Sequence, residues 1–327
     1  MFIKHFIAIV AAIVGVTIGV SAQSVDYSVV SVPEESGLDI MQVSSTNDYV
    51  SMPAIARTKR ELKWNYDRVL DVSYDGKSIA YISNRNGYQN IFIKELGKQG
   101  GAIQRTNRKT VVDFSYSPDG KQICFSENRG SYNQIFLTDA SNGYVCRQIT
   151  SANIDASPMF SRDMKQILFA RKESNSMSIW GYNINSNFIS SYVAGDTPYS
   201  TGASSFLCTR SGVNNRGEIW RIDYSTGIEE CIVSDPERSF ASPVVSPNGQ
   251  WILFVGESVI ETDEFKYRNT DIYACRIDGT ELMQITYHAA DDVSPVWSRD
   301  GKYIYFISQR GNANATPNIW RLTFQYY

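Results

Sequence analysis

The chain has 327 residues and a formal net charge of −3, with 31 Lys and Arg set against 34 Asp and Glu and no long run of either sign. That balance excludes a nucleic-acid binder, which needs a basic stripe to neutralise phosphates. The length suits one large all-β domain or two smaller domains.

The first residues read as a secretory signal peptide. Lys4 supplies the positive start, Phe6 to Val20 form an apolar run, and Val20-Ser21-Ala22 offers small residues for cleavage. Residues 1–22 are therefore expected to be removed, leaving Gln23 as the mature start and a periplasmic or secreted protein with no membrane span. The apolar run is short for a bilayer crossing of about 20 residues. No cysteine near the cleavage site indicates a lipid anchor.

Residues 23–60 read as a strap and linker ahead of the main domain, 61–327. Within the strap, Leu38-Asp-Ile-Met-Gln-Val-Ser44 resembles Glu281-Leu-Met-Gln-Ile-Thr286 near the other end, so it is expected to pair as a strand with the last unit. The stretch from Tyr49 to Asp67, with Arg57, Lys59 and Arg60, reads as a solvated linker that forms a helical turn near Pro53.

From there one pattern recurs. An apolar strand ends in an Asp-Gly or Asn-Gly turn, which suits the positive φ angles of tight hairpins. The turn markers are Asp75, Asp119, Asp163, a degenerate copy near Gly202, Asn248 and Asp300, in steps of 44, 44, 39, 46 and 52. A second strand follows, as in Ser78-Ile-Ala-Tyr-Ile82 and Trp251-Ile-Leu-Phe-Val255. A polar loop comes next, often with Arg and Gly (Asn84 to Gly87, Asn128 to Gly130, Gln309 to Gly311). The third strand is the most uniform: Asn90-Ile-Phe, Gln134-Ile-Phe, Ser178-Ile-Trp, Glu218-Ile-Trp, Asp271-Ile-Tyr and Asn318-Ile-Trp. A fourth strand closes with Arg147-Gln-Ile-Thr150 or Met283-Gln-Ile-Thr286.

Four short antiparallel strands in about 40 to 45 residues make one propeller blade. Six copies predict an all-β, six-bladed β-propeller closed by the N-terminal strand. The recurring aromatics of the second and third strands then read as inter-blade packing. The five cysteines include no C-x-x-C pair and fall on strands, where they read as small buried hydrophobes.

The blocks Ser-Pro-Asp-Gly-Lys, Ile-x-Phe-x-Ser, the Arg-Gly loop, Ile-Trp and Gln-Ile-Thr are similar to the WD40-like repeats of the TolB family, over about residues 60 to 327. The resemblance implies the propeller fold and a binding role in the cell envelope. It departs from TolB proteins in that residues 23–60 are too few for their additional N-terminal α/β domain. Prolyl-oligopeptidase relatives use similar blades with a hydrolase domain appended.

No Gly-x-Ser-x-Gly elbow, His-Glu-x-x-His helix, phosphate loop or dinucleotide fingerprint occurs, and the mature chain has a single histidine, His288. His288 reads as a solvated loop residue, or as a metal ligand with Asp291 and Asp292. No catalytic residue, metal or cofactor is assigned. The expected activity is binding of an envelope protein or peptide by a monomer; the alternative is a lyase or glycosidase acting on polysaccharide through paired carboxylates. The binding face is expected where the chain enters each blade. Asp67, Asp155 and Asp292 align there, with Asp113, Asp196 and Asp291 close by. Carboxylates on a propeller channel would favour a basic segment or a cation, unless each caps its own loop. The blade-five insertion adds Phe265, Tyr267 and Arg268 as contacts.

Overall fold

The computed structural model describes residues 25–53, 57–58, 61–62, 68–98, 100–174, 176–261 and 266–326. The signal segment, Asp67 and Phe265 lie outside them. Six four-stranded antiparallel sheets follow one another along the chain. The first strands of the six blades are Leu70–Val72, Val111–Tyr116, Asp155–Phe160, Asp196–Ser200, Ser239–Val245 and Asp292–Trp297. They touch their neighbours around the whole ring, and blade six returns to blade one. Among the described residues no helix is long and apolar enough to cross a membrane.

The repeated Ser-x-Asp-Gly motif has a local physical cause. In blade one the Ser73 hydroxyl donates to Asp75 Oδ1 at 2.7 Å, the Lys77 amide donates to the same oxygen, and the Ser78 amide donates to Ser73 Oγ at 3.0 Å. Ser117 and Asp119, Ser161 and Asp163, and Ser298 and Asp300 repeat the pairing. These bonds hold the four carboxyls below the usual carboxylate range. Gly76, Gly120 and Gly301 take the left-handed conformation that completes the turn, with φ near 70°. In blade three Met164 does so instead, at φ 60°.

Alternation along the strands sends successive side chains to opposite neighbours. Ile167 and Phe169 pack with Cys124, Ile135 and Leu137 of blade two, whereas Leu168 and Ala170 pack with Phe206 and Cys208 of blade four. The seams between blades two and three, three and four, four and five, and five and six are thus hydrophobic cores of their own, while one core runs continuously through blades six, one and two. Fully burying a large apolar side chain contributes about 1.5–3 kcal/mol. Cys124, Cys208 and Cys275 are buried in these seams as free thiols, and burial pushes each up to about 12. Cys231 is exposed, contrary to expectation, because the outer strand of blade four, Ile228–Val233, faces solvent at that position.

The ring is closed from the other end of the chain. Ile40–Gln42 is the outermost strand of blade six and pairs with Asn318–Thr323, Ile40 opposite Leu322 and Gln42 opposite Trp320. It copies the fourth-strand motif bond for bond. Gln42 Nε2 donates to the Ser44 carbonyl at 2.7 Å, as Gln148 and Gln284 donate to Thr150 and Thr286. The Ile319 amide donates to Ser44 Oγ, as the Ile135 and Ile272 amides donate to the threonine hydroxyls. Beyond it, residues 54–56, where the helical turn near Pro53 is expected, and Lys59 and Arg60 of the expected linker lie outside the described residues. Thr46–Asp48 is a 3-10 turn, Val50 bridges Ser83 of blade one, and Arg57–Thr58 pairs with Glu61–Leu62 as a small hairpin. Asp48 explains the attachment: it is buried and accepts from Arg85, Lys94 and the Tyr81 hydroxyl.

Candidate functional site

The face where the chain enters each blade is shaped by a bulge that recurs in four first strands. Ser157, Thr197, Ser242 and Ser294, each directly before a proline, have φ between 45° and 58°, and the strand register shifts around each one. A left-handed residue other than glycine costs about 1–2 kcal/mol. Donors freed by the bulge meet fixed acceptors that offset this. The Ser157 amide donates to Asp113 Oδ2 of the preceding blade at 2.7 Å, and the Ser242 amide donates to Thr209 Oγ1 of the preceding blade at 3.2 Å. The Thr197 amide donates to Asp196 at 2.7 Å.

The acidic residues lie beneath this face. Asp113 is fully buried, takes the Ser126 hydroxyl on one oxygen and the Ser157 amide on the other, and burial raises its pKa. Asp155 is fully buried in a bidentate pair with Arg171, at 2.7 and 3.0 Å. Asp292 is fully buried and accepts from Arg310, whose guanidinium also grips Glu35 of the N-terminal strap at 2.9 and 3.1 Å. Burial pushes Asp292, and likewise Asp196, up to about 6. Asp291 accepts from the Thr270 hydroxyl at 3.0 Å. Asp155 and Asp292 do occupy matching places, opposite Arg171 and Ser308 of their second strands. In blade one the neighbour of Asp67, Arg68, crosses to the far side of the ring, its guanidinium 3.2 Å from Met159 Sδ and 5.5 Å from the Tyr199 ring centre. Blades one and four face each other, so this cation lies across the channel and acts on Asp113.

Arg268, on the blade-five extension, pairs with Glu257 at 2.8 Å; of Tyr267 only the backbone is described. His288 is buried, not a solvated loop residue. Its Nδ1 accepts the Ala290 amide at 2.9 Å, and burial followed by the nearby Arg310 lowers its pKa. The covering strap, whose Val29 and Tyr27 carbonyls accept from Gly311 and Asn312, could not be placed over His288 from sequence. Among the described residues no group of three His, Cys, Asp or Glu side chains is placed to hold a metal ion.

Two features escaped the sequence reading. In blades one to four an Arg at the end of the second strand or in the loop after it stacks on the aromatic of the third strand, Arg85 on Phe92, Arg129 on Phe136, Arg171 on Trp180 and Arg210 on Trp220, at 4.7 to 5.1 Å, whereas Arg310 of blade six stacks on Phe306 of its second strand. The bulges were visible as Ser-Pro or Thr-Pro pairs at 157–158, 197–198, 242–243 and 294–295. The carboxylates of this face are bonded within the blades, Asp113, Asp155, Asp196 and Asp291 to groups on strands and Asp292 to the loop residue Arg310.

A family model for the TolB β-propeller domain matches residues 70–263. Solved structures of similar fold include the putative TolB from Agrobacterium tumefaciens, 16% identical with a TM-score of 0.58 over 79% of this chain and 90% of that one. TolB from Acinetobacter baumannii is 18% identical with a TM-score of 0.58; the match covers 76% of this chain and 64% of that protein. Oligogalacturonate lyase from Vibrio parahaemolyticus is 11% identical with a TM-score of 0.56 over 88% and 94%. At these identities the likeness is one of fold. The match to the family model over residues 70–263, more than half of the chain, shows that the chain belongs to the TolB β-propeller family.

Proposed function

We propose that this chain is an exported, non-catalytic propeller that binds a protein or peptide partner in the cell envelope through its blade-entry face. The observation that carries this reading is the state of the carboxylates. Asp155 is neutralised by Arg171, Asp292 by Arg310, and both oxygens of Asp113 are taken by Ser126 and Ser157. General acid and base catalysis needs such groups within reach of a substrate proton. Here Asp113, Asp155, Asp196, Asp291 and Asp292 set the shape of the face from below, and Arg268 and the loops above supply the contacts. Export rests on the signal segment 1–22.

The second reading, a propeller enzyme acting on polysaccharide, is favoured by the fold likeness to oligogalacturonate lyase across 88% of this chain. One experiment separates the two. The mature protein is incubated with a panel of envelope polysaccharides and, in parallel, used to capture partners from envelope extract. Capture without depolymerisation supports binding; turnover abolished by a single carboxylate substitution overturns it.

A further inference from the structure

Two neighbouring entry loops carry the same pattern, Asn84-Arg85-Asn86-Gly87-Tyr88 and Asn128-Arg129-Gly130-Ser131-Tyr132, offset by 44 residues. Both are built alike. The arginine folds back over the third-strand phenylalanine, a glycine with φ of 86° or 85° turns the chain outward, and the tyrosine is left in solvent, 58% exposed at Tyr88 and 45% at Tyr132. The loops form one continuous edge. The Val111 amide donates to the Gln89 carbonyl and the Asn128 amide to the Thr110 carbonyl, each at 2.9 Å, so the connection between blades one and two ties them together.

The charge of this edge is one-sided. Glu127 takes both Arg108, at 2.7 Å, and Arg129, at 2.9 Å; Asp48 takes both Arg85, at 3.0 Å, and Lys94, at 3.2 Å. Each carboxylate answers two cations, and both carboxylates are buried beneath the surface. Lys109, exposed between the loops, adds to the excess. Other blades lack the feature. Blade three has Lys172-Glu173-Ser174 at this place, and Arg310 of blade six is buried under Glu35.

We infer that the paired Asn-Arg-x-x-Tyr loops of blades one and two are the docking surface for a carboxylate-rich, extended segment of the partner protein. Tyr and Arg are the side chains that anchor protein interfaces, and a surplus of cations held over buried carboxylates selects acidic residues. Two equivalent loops on adjacent blades suit a segment that repeats its acidic residues. This rests on the reading that the partner is a protein bound on the entry face.

The test uses the mature protein and fluorescently labelled poly-L-glutamate, with poly-L-lysine and polygalacturonate as comparison probes. Poly-L-glutamate is expected to bind with an affinity that falls as salt rises. The double variant Tyr88→Ser/Tyr132→Ser is expected to weaken it about tenfold or more with an unchanged thermal melt. Arg129→Gln, in a variant that still folds, should weaken it further and flatten the salt dependence. Absence of binding at low salt, binding indifferent to both variants, or preference for polygalacturonate overturns the proposal. A partner captured in undiminished yield by the double tyrosine variant also overturns this surface while leaving the protein-binding reading intact. Polysaccharide turnover would overturn that reading itself.

Discussion

Blades three and six begin with the same device and complete it differently. Asp155 and Asp292 stand at matching places at the start of their first strands, and both are fully buried. In blade three the counter-charge is Arg171, directly across the ladder, and the pair is complete within one hairpin. In blade six the residue across the ladder is Ser308, so the cation comes from the loop as Arg310, and Glu35 of the strap joins it as a second carboxylate. Blade three is thus electrostatically self-sufficient. Blade six is balanced only when the N-terminal segment is in place, which ties its ion pair to the closing of the ring. A buried ion pair is weak evidence for stability, but removing one partner leaves an uncompensated charge and is costly.

The largest effect that would test this contrast is deletion of residues 25–44. It removes the outer strand of blade six and leaves Arg310 and Asp292 without Glu35, and the melting temperature should fall by about 10 °C or more. A melt within a few degrees of the intact protein would show that blade six does not depend on the strap. Next comes the pair of single changes Arg310→Met and Arg171→Met. The first strands two buried carboxylates and is expected to cost about 3–5 kcal/mol; the second strands one, and because Arg171 is itself partly exposed it should cost less. Equal losses in denaturant titrations would erase the distinction between the blades.

A third prediction concerns the acidic surroundings of Arg310. Asp271, from the third strand of blade five, is buried with its Oδ1 unpartnered; burial and then the adjacent Asp292 push its pKa up to about 9. A carboxyl whose folded-state pKa is raised binds its proton more tightly when folded, so the protein loses stability as pH rises from about 4 towards 9. Asn90 and Asn318 hold the same place in blades one and six. Asp271→Asn should therefore raise the melting temperature by about 2–4 °C at pH 8 and by less at pH 5. A gain independent of pH would show that this carboxyl is not protonated in the folded state. The smallest effect belongs to blade three, where Met164 occupies the left-handed turn position that glycine holds elsewhere. Met164→Gly is expected to stabilise by about 0.5–1 kcal/mol, and a loss of stability would mean that its side-chain packing outweighs the backbone strain.

The blade count, the strand order within each blade and the closing strand all follow from local chemistry that a sequence carries. Asp75, Asp119 and Asp300 mark turns because a carboxylate two residues after a serine and one before a glycine satisfies its own backbone. Gln42-Val43-Ser44 announces a fourth strand because its hydrogen bonds are made with itself and one neighbour. Partners distant in sequence were not legible in this way. Nothing local says that Asp113 will hold Ser157 of the next blade, that Arg68 will cross the ring to Met159 and Tyr199, or that Glu35 will meet Arg310 across 275 residues and bury His288 beneath the strap. Those pairings depend on where ring closure brings separate blades, and that placement decides whether a carboxylate faces solvent or an internal cation. The sequence alone therefore determined the propeller and its closure, while only the tertiary structure decided that Asp113, Asp155, Asp196, Asp291 and Asp292 of the entry face are buried, because ring closure sets what each of them meets.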